Sequence, residues 1–531
     1  MRDLDTMAGP VAASATQEFD KGEAPRDLKV LVTAGEAYPA FERAVLEARD
    51  QITMGFRIFD PRTVLRSAQG KAVGRDWADL LAHALARGVK VDLYLGDFDP
   101  LMATELHRTC WNSMRVLAGV RELAGPGAAS LIVRPLLHPA AVAPIPRLVF
   151  WPLTALIRRR KSAWLQNLPE GERDLCAAET PGLRALQGLP PFSPVPLFPV
   201  SHHQKIAVID EDRLYVGGLD LDERRWDDPD HDQPAQQTWH DVQVLIRDPE
   251  MARAGRTHLR SLPAVTSGDE QPPATPGVLR TVSRRRRRAS LALSPKNVVR
   301  ELSEAHHRQI SKAEKLIYLE TQFFRDRRIA LRLAARARRA KDLKLVLLLP
   351  GAPEVVAFTK RPPLDGRFGD FLQTRYLQLV KRAFGDRMLI ASPVQQRVRN
   401  KLDLDAERAA LWGSPLIYLH SKVSIFDNNA AVVSSANLNG RSMKWDTETG
   451  VCLTDPDEVR EVREQIFRKW MPDDPTPEAL DPDTSFEHWK QILSDNASRQ
   501  PEQRRGFLVP YDIRAARATA IPVPGMPEEM V

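Results

Sequence analysis

The alternation of hydrophobic and polar positions recurs in the same order in two parts of the chain. Apolar runs at 52–59 and 89–95 flank a helix-like stretch and are typical of strands. Apolar runs at 316–323 and 343–349 flank the helix-like stretch 329–340 in the same way. A strand, a helix and a second strand in each part predict βα units that feed a largely parallel sheet.

Two predicted hairpins follow these units. Residues 206–209 and 214–216 are short apolar runs separated by a turn that contains Asp, and 423–426 and 431–433 are separated by a turn of two Asn residues. An internal repeat sets the architecture of a chain. The predicted fold class is therefore α/β, with two similar α-β-α halves whose mixed, largely parallel sheets pack as one pseudo-twofold unit.

The first strand of each hairpin carries the pattern His-x-Lys-x-x-x-x-Asp. Side chains two residues apart on a strand point to the same face, so each His and its Lys are expected to face one site. The Asp lies at an odd offset from the His, and we expect it to point away from that site and brace the turn. The motif residues, grouped here as candidate catalytic residues, are His203, Lys205 and Asp210, and His420, Lys422 and Asp427.

The repeat continues beyond the motif. The spacing from His203 to Arg224 equals the spacing from His420 to Arg441. Chance recurrence of His-x-Lys does not reproduce this downstream register, so the two copies are homologous units. The matched polar or small positions are Gly218 with Ser435, Asp220 with Asn437 and, after an insertion in the first copy, Asp241 with Glu448.

Length and composition define a domain plan. A chain of 531 residues allows two or three domains, and 43% hydrophobic with 27% charged residues is ordinary for a globular protein. The predicted divisions are an N-terminal extension 1–28, a first half 29–263 with an insertion at about 136–161, a basic linker 264–296, a second half 297–470 and a C-terminal extension 471–531.

Charge and cysteine content exclude few functional classes. The net charge of +7 suits an anionic partner, either a phospholipid surface or nucleic acid, and equally a generic basic surface. Three cysteines without regular spacing predict neither a disulfide framework nor a cysteine-based zinc site. We see no Sec-type signal peptide and no clean membrane span, so we expect a cytoplasmic or peripheral membrane location, with secretion by a signal-less route still open.

Two segments are candidates for contact with anionic lipid. Residues 136–161 are apolar and aromatic, are interrupted by prolines and end in a basic cluster. Such a segment suits a loop that dips into a lipid interface, or an insertion that packs on the domain. The run Arg284 to Arg288 lies in a stretch rich in Pro, Ser and Thr, and a solvated linker or a lipid-binding role are both open for it.

The paired motifs resemble those of the phospholipase D superfamily, in particular its lipid-acting bacterial subgroup. Residues 434–442 resemble the family's Gly-Ser-Ala-Asn-x-Asn-x-Arg-Ser segment, with Ser434 where the family usually has Gly. Residues 317–324 are similar to an Ile-Tyr-x-Glu-x-Gln-Tyr/Phe-Phe stretch of lipid-acting members, and 217–221 and 239–242 look like their first-half counterparts.

The motif chemistry suits attack on a phosphate diester. One imidazole attacks phosphorus to form a phosphohistidine, and the other protonates the leaving alcohol and then activates water. The resemblance assigns His203 as nucleophile and His420 as acid/base, which the near-symmetric sequence alone does not decide. Both lysines would clamp the non-bridging oxygens. The other predicted site residues are Asp241 and Glu448, which would orient the imidazoles, and Gly218, Asp220, Ser435 and Asn437, which would complete a polar cradle for the phosphate.

The predicted function is hydrolysis of glycerophospholipids to phosphatidic acid and a head-group alcohol, or transfer to another alcohol. The alternatives are a cardiolipin-synthase-like phosphatidyltransferase, a nuclease of the same superfamily and a non-enzymatic lipid-binding protein. We expect no cofactor and no metal, because the lysines supply the positive charge. We also expect a phospholipid surface as partner, no nucleic acid and a monomeric chain. A competing metal site would use His202, His203, His231, His240 and His420.

Overall fold

Two α/β halves of the same strand order face each other across one continuous core. The computed structural model describes residues 26–190, 193–472 and 474–531. Residues 1–25, which make up most of the predicted N-terminal extension, lie outside this description.

The first half is built on a seven-stranded sheet of order β1-β7-β6-β5-β2-β3-β4. β2 is parallel to β3, and β3 is parallel to β4, while β5 runs antiparallel to β2. The strands are β1 (Asp27–Val32), β2 (Gln51–Phe56), β3 (Lys90–Asp97), β4 (Leu131–Leu137), β5 (Ile206–Ile209), β6 (Arg213–Gly217) and β7 (Val242–Arg247).

Helices cover this sheet and fill the long connection between β4 and β5. The helices are α1 (Thr33–Glu47), α2 (Ala68–Val73), α3 (Trp77–Ala86), α4 (Thr104–Ala124), α5 (Pro144–Gln166), α6 (Glu170–Glu179), α7 (Pro181–Gln187) and α8 (Pro249–Ser267). The predicted insertion at 136–161 is thus mainly the helix α5 rather than a loop, because the prolines Pro144 and Pro146 fall in its first turn, where a missing N–H costs no hydrogen bond. Among the described residues, no helix combines the length and the apolarity needed to cross a bilayer.

The second half is built on a nine-stranded sheet of order β18-β12-β11-β10-β15-β16-β17-β8-β9, beside a two-stranded ribbon of β13 and β14. Its strands are β8 (Val278–Arg284), β9 (Lys296–Arg300), β10 (Leu316–Glu320), β11 (Lys344–Leu348), β12 (Met388–Pro393), β13 (Ala410–Leu411), β14 (Ser414–Pro415), β15 (Val423–Phe426), β16 (Ala430–Ser434), β17 (Glu448–Leu453) and β18 (Leu508–Pro510).

Local signals fix the start and the buried face of helix α10 in this half. Asp326 caps α10 by accepting a hydrogen bond from the Ile329 N–H at 2.8 Å, and the buried residues of α10 recur at helical spacing. The helices are α9 (Glu301–Lys312), α10 (Arg327–Arg339), α11 (Glu354–Ala357), α12 (Leu364–Phe384), α13 (Gly440–Lys444), α14 (Pro456–Trp470), α15 (Pro477–Leu480), α16 (Ser485–Ser498) and α17 (Ile513–Thr519).

The two sheets share one topology. The order β1-β7-β6-β5-β2-β3-β4 of the first sheet matches β8-β17-β16-β15-β10-β11-β12 of the second. The α/β class and the repeat of two similar halves are therefore as predicted. The sheets are mixed, but the prediction that they are largely parallel was wrong: only two pairings in each are parallel, because the hairpins and the first strand of each half pair antiparallel.

The predicted boundaries of the second half need correction. The segment 264–296 is not simply a linker, because it contains β8, whose alternating apolar residues pair with β17. The second half thus begins with β8, just as the first half begins with β1. The predicted C-terminal extension is also part of this half, since β18 pairs with β12 and Trp489 is fully buried in the core.

The core between the halves explains why they form one unit. Val208 and Val216 of the first sheet belong to the same buried cluster as Val423 and Val433 of the second. Burying this aliphatic surface stabilises the pair of sheets at about 25 cal/mol per Å² of apolar area. The two hairpins that carry the motifs are therefore held face to face.

Candidate active site

The candidate site lies where the parallel strands of the two sheets end. β5 begins at Ile206, opposite Gly55 near the C-terminal end of β2, and β15 begins at Val423, opposite Glu320 at the end of β10. Both motif histidines and lysines precede these strands, whereas the sequence had placed them on the strands. The entering segments pair with the opposite half instead, which draws them out of the ladder of their own sheet.

Backbone hydrogen bonds join the two motif segments to the opposite halves in a symmetric way. The His203 N–H donates to the Thr447 carbonyl at 2.9 Å, and the His420 N–H donates to the His240 carbonyl at 2.8 Å. Thr447 directly precedes Glu448, and His240 directly precedes Asp241, the matched carboxylates of the two copies. Both imidazoles are therefore positioned by main chain from the half that does not carry them.

The imidazole of His203 is held by a carboxylate from the second half. Its Nδ1 lies 2.9 Å from Oε2 of Glu448. The Ser435 hydroxyl donates to the same oxygen at 2.5 Å, and Glu448 is fully buried. With Nδ1 carrying the proton that faces Glu448, Nε2 is left with its lone pair, as nucleophilic attack requires.

The imidazole of His420 is held by a carboxylate from the first half. Its Nδ1 lies 2.5 Å from Oδ2 of Asp241. The ring packs on the indole of Trp239, with centroids 4.5 Å apart. The Lys422 ammonium lies 2.9 Å from the same Nδ1, but a nitrogen that donates its proton to Asp241 cannot also accept one, so we assign the hydrogen bond to the carboxylate.

The motif lysines are buried beside their histidines. The Lys205 ammonium donates to the His203 carbonyl at 2.7 Å and lies 3.6 Å from Oδ2 of Asp220. The Lys422 ammonium donates to the His420 carbonyl. Each lysine also acts electrostatically on the histidine of the opposite half. A phosphate placed between the imidazoles would thus meet two positive charges.

Asp220 and Asn437 occupy matched positions but make different contacts. Besides its approach to Lys205, Asp220 accepts a hydrogen bond from the Ile58 N–H at 2.9 Å, which fixes the chain after β2. The Asn437 amide donates to Gln322 at 3.2 Å, and its buried Oδ1 has no hydrogen-bond partner among the described residues. The carboxylate of Asp220 therefore balances the charge of Lys205, while Oδ1 of Asn437 is free to accept a hydrogen bond.

The backbone N–H groups of Gly218 and Ser435 are both used within the sheets. The Gly218 N–H donates to the Val242 carbonyl at 3.2 Å, and the Ser435 N–H donates to the Thr449 carbonyl at 2.8 Å. A Cβ at Gly218 would collide with the Asp241 carboxylate. Both residues end strands that pair with the next strand, so their role is to make room for, or to hold, the carboxylate beside the imidazole.

Asp210 and Asp427 lie at the turns and not beside the imidazoles. The Asp210 carboxylate accepts hydrogen bonds from the N–H groups of Arg49, Asp50 and Gln51. Asp427 accepts from the N–H groups of 314–316 at 2.8 to 2.9 Å. Both have a positive φ, which Asp tolerates better than most residues. Each carboxylate thus fastens its hairpin to the start of the neighbouring strand, in line with the expectation that it points away from the imidazoles.

Burial sets the protonation states of the site. Desolvation, followed by the nearby lysines, lowers the pKa of both His203 and His420 well below the usual range. Desolvation raises the pKa of Asp241 to about 6 and that of Glu448 to about 8. The same cause lowers the pKa of Lys422 to about 7. Burial in this site thus disfavours charge of either sign, and an anionic ligand would favour protonated lysines.

Two arginines of the site were missed by the sequence analysis. Arg57 directly follows β2, and burial lowers the pKa of its guanidinium while its charge acts on His203. Arg225 lies over the ring of Trp239 at 3.7 Å and acts on His420. Arg57 Nε and Arg225 Nε and Nη1 are buried without a hydrogen-bond partner among the described residues. Neither arginine lies in the repeated motif, and the positions that match them in the second half hold no arginine, so the repeat gave no signal for them.

The histidines of the competing metal site do not converge. His231 is paired with Asp227 at 2.6 Å, and His202 with the Thr447 hydroxyl at 3.0 Å. Across the described part of the chain, no group of three or more His, Cys, Asp or Glu side chains is arranged to hold a metal ion.

Comparison with known proteins finds a matching family model and related sequences. The family model described as "Cardiolipin synthase, PLD-like domain" matches residues 306–470, which include His420, Lys422 and Glu448. Phospholipase D1 of Homo sapiens is 35% identical over 103 residues, covering 16% of this chain and 10% of that protein. Phospholipase D1 of Mus musculus is 34% identical over 103 residues, with the same coverage. The match thus spans about a tenth of the length of these curated relatives.

Solved structures resemble the chain over a longer range but at low identity. Phosphatidylserine synthase of Haemophilus influenzae Rd KW20 has a TM-score of 0.47 and 11% identity, covering 83% of this chain and 85% of that one. Polyphosphate kinase of Porphyromonas gingivalis has a TM-score of 0.40 and 11% identity, covering 82% and 46%.

Proposed function

We propose that this chain, which belongs to the phospholipase D superfamily, cleaves the head-group phosphodiester of glycerophospholipids through a phosphohistidine and passes the phosphatidyl group to water or to another alcohol. The observation that carries this proposal is the pair of motif imidazoles, each fixed through Nδ1 by a carboxylate of the opposite half. Both Nε2 atoms are thereby available for chemistry at one phosphorus between them.

The first step forms the covalent intermediate. Nε2 of His203 attacks phosphorus, and the bond from phosphorus to the head-group oxygen breaks. Protonated His420 gives its Nε2 proton to that oxygen, so the head group leaves as a neutral alcohol. Lys205 and Lys422 stabilise the charge that grows on the non-bridging oxygens, and Glu448 stabilises the positive imidazole ring of His203.

The second step restores the enzyme. His420, now neutral, takes a proton from water or from an alcohol as that oxygen attacks phosphorus. The phosphorus–nitrogen bond breaks, and the phosphatidyl group leaves as phosphatidic acid or as a new diester. Assignment of the nucleophile to His203 follows the family resemblance, since a buried carboxylate receives the Nδ1–H of each imidazole.

A phosphatidyltransferase of the cardiolipin-synthase kind is the second candidate. The family model that matches residues 306–470 carries that name, and the chemistry differs only in which oxygen attacks in the second step. Buried lysines and arginines beside the imidazoles would suit a substrate whose head group carries no positive charge, such as phosphatidylglycerol.

Product analysis tests both candidates. Vesicles of phosphatidylcholine, phosphatidylethanolamine or phosphatidylglycerol are incubated with wild type, with His203→Ala and with His420→Ala. Phosphatidic acid from wild type alone supports the hydrolase, and cardiolipin with free glycerol from phosphatidylglycerol supports the transferase. If wild type releases neither product and cuts plasmid DNA instead, a nuclease function would replace both candidates. Acid-quenched enzyme should carry phosphate on His203, and phosphate on His420 would reverse the two roles.

A further inference from the structure

An apolar helix face lies open to solvent on the first half. Helix α5 carries exposed apolar side chains over its first three turns, and its exposed fractions reach 72% at Val149. A patch of this kind on a globular protein marks an interaction site more often than a free surface. The exposed apolar residues of α5 are Ile145, Leu148, Val149, Phe150, Leu153, Leu156 and Trp164.

The opposite face of α5 is anchored, so the apolar face is fixed outward. Thr154, Arg158 and Leu165 are buried against the domain. Ile157 packs on a cluster that contains Leu101. The helix therefore presents its exposed residues as a rigid surface and needs no rearrangement to do so.

The arginine run lies beside the start of this helix. The Ala143 N–H donates to the Ala292 carbonyl at 2.9 Å, and the Ile145 N–H donates to the Ser290 carbonyl at 3.1 Å. The loop that follows β8 thus joins α5, and it carries exposed Arg285 to Arg288 and Leu291, which is 70% exposed. Two segments far apart in sequence form one surface, which we call the docking surface: α5 with residues 285–291.

The docking surface is basic without acidic neighbours in its own segments. The chain has no Asp or Glu between Glu122 and Glu170, nor between Glu270 and Glu301. Arg159 and Arg160 end the exposed apolar face of α5. Apolar residues flanked by Lys and Arg suit a bilayer with anionic lipid, where the apolar groups enter the interface and the cations meet the head groups. A protein partner would not require apolar residues in the middle of the surface and basic residues at its edge.

The two segments of the docking surface are connected to the candidate active site through the ends of β4 and β8. His138, at the end of β4, stacks near His202 with ring centroids 5.1 Å apart, and its Nε2 lies 3.1 Å from the Ser283 carbonyl. His202 directly precedes the motif residue His203. Both parts of the docking surface therefore leave the sheets within a few residues of the site.

We propose that α5 and residues 285–291 bind the surface of bilayers that contain anionic lipid and so bring the active site to its substrate. The choice of lipid as the substrate rests on the proposed function. Binding of the docking surface to a bilayer, however, requires no turnover of lipid. The occupant is the lipid surface, and a second copy of the chain is an alternative that the experiment detects.

Sedimentation with vesicles tests the docking surface. Wild type is mixed with vesicles of phosphatidylcholine alone or with phosphatidylglycerol added. The apolar variant is Leu148→Ser, Val149→Ser and Leu153→Ser together. Its matched control replaces three exposed leucines elsewhere, Leu331→Ser, Leu402→Ser and Leu404→Ser. The basic variant is Arg285→Gln, Arg286→Gln and Arg288→Gln.

We expect wild type to partition onto mixed vesicles at least about tenfold better than onto phosphatidylcholine, and less so at high salt. The apolar variant should lose about tenfold or more, the basic variant should lose the preference for phosphatidylglycerol, and the control should bind as wild type. Equal binding of wild type and the apolar variant would overturn the proposal. The proposal would also be overturned if wild type were a dimer and the apolar variant a monomer, because the surface would then join two copies of the chain.

Failure of the proposed function gives a different result. His203→Ala should bind vesicles as wild type does while releasing no head group. Normal vesicle binding by wild type without any lipid turnover would refute the enzyme function and leave the docking surface standing.

Discussion

The His203 imidazole of the first half is held by the Glu448 carboxylate of the second half, with Nδ1 and Oε2 2.9 Å apart. Asp241 of the first half holds His420 of the second in the same way. The orienting carboxylates are thus exchanged between the halves, and neither motif histidine is held by a carboxylate of its own half. This exchange explains why both motifs must lie in one folded unit.

Glu448→Gln should reduce kcat by about 10³-fold while the protein stays folded. The amide can donate to Nδ1 as well as accept from it, so the imidazole loses the tautomer that leaves a lone pair on Nε2. Steady-state kinetics on a short-chain lipid measures the loss. The matched control is Glu179→Gln, which changes a buried glutamate paired with Arg108 and should leave kcat within about twofold of wild type.

A double variant separates orientation from other effects of Glu448. His203→Ala with Glu448→Gln should be no slower than His203→Ala alone, because a carboxylate that acts only through an imidazole has nothing to orient once the ring is gone. Independent, multiplying losses would show that Glu448 acts on the substrate directly.

The same substitution should change how stability depends on pH. Burial raises the pKa of Glu448 to about 8, so the folded protein holds this proton more tightly than the unfolded chain, where the usual value is about 4.5. The contribution of Glu448 to stability is therefore full below about pH 4.5 and is lost as the pH rises to about 8. Relative to wild type, Glu448→Gln should gain Tm between pH 5 and pH 8. A Tm difference that is constant with pH would contradict this.

Lys422 should set an alkaline limit on activity. Burial lowers its pKa to about 7, and the clamp on the phosphate requires the protonated form, so kcat/KM should fall as the pH rises above about 7. Arginine stays protonated. Lys422→Arg, although slower at neutral pH, should retain about tenfold more of its own activity at pH 9 than wild type does. If the activity of wild type and of Lys422→Arg fell identically at alkaline pH, another group would set the alkaline limit.

Local patterns were enough to predict the halves and the motif residues. The hairpins at 206–216 and 423–433 and the βα units follow from apolar runs bounded by Asx turns. The pairing of strands was less predictable, because short apolar strands do not reveal whether a neighbour runs parallel. The role of 264–296 was missed for a similar reason: its arginine run suggested a linker, while the short β8 is recognised only from its pairing with β17 and β9.

The partners of the site residues depend on contacts that no local pattern records. The spacing matched Asp241 with Glu448, but the exchange between halves follows from how the two sheets face each other. Gly218 and Ser435 looked like phosphate ligands, yet their N–H groups are used by the neighbouring strand. Arg57 and Arg225 lie outside the repeat and reach the site only through tertiary packing.

Arg225 should contribute to substrate binding rather than to folding. Its Nε and Nη1 have no hydrogen-bond partner among the described residues, and its guanidinium lies over Trp239 beside His420. Arg225→Lys keeps the charge but loses the planar group, so we expect KM to rise about tenfold with little change in Tm. Arg62→Lys, in an exposed pair with Asp60, is the control. Equal effects of both substitutions would contradict a role in binding.

Asp427 should matter for stability and not for chemistry. Its carboxylate accepts three backbone N–H groups at 2.8 to 2.9 Å, and its φ is +53°. Asp427→Ala loses these acceptors and disfavours the left-handed backbone, at a cost of about 3 kcal/mol, while Asp427→Asn keeps one acceptor and the backbone preference and should cost about 1 kcal/mol. Denaturant unfolding measures both costs. Activity per folded molecule should remain near wild type in Asp427→Asn, and a folded variant as inactive as His203→Ala would instead make Asp427 part of the catalytic machinery.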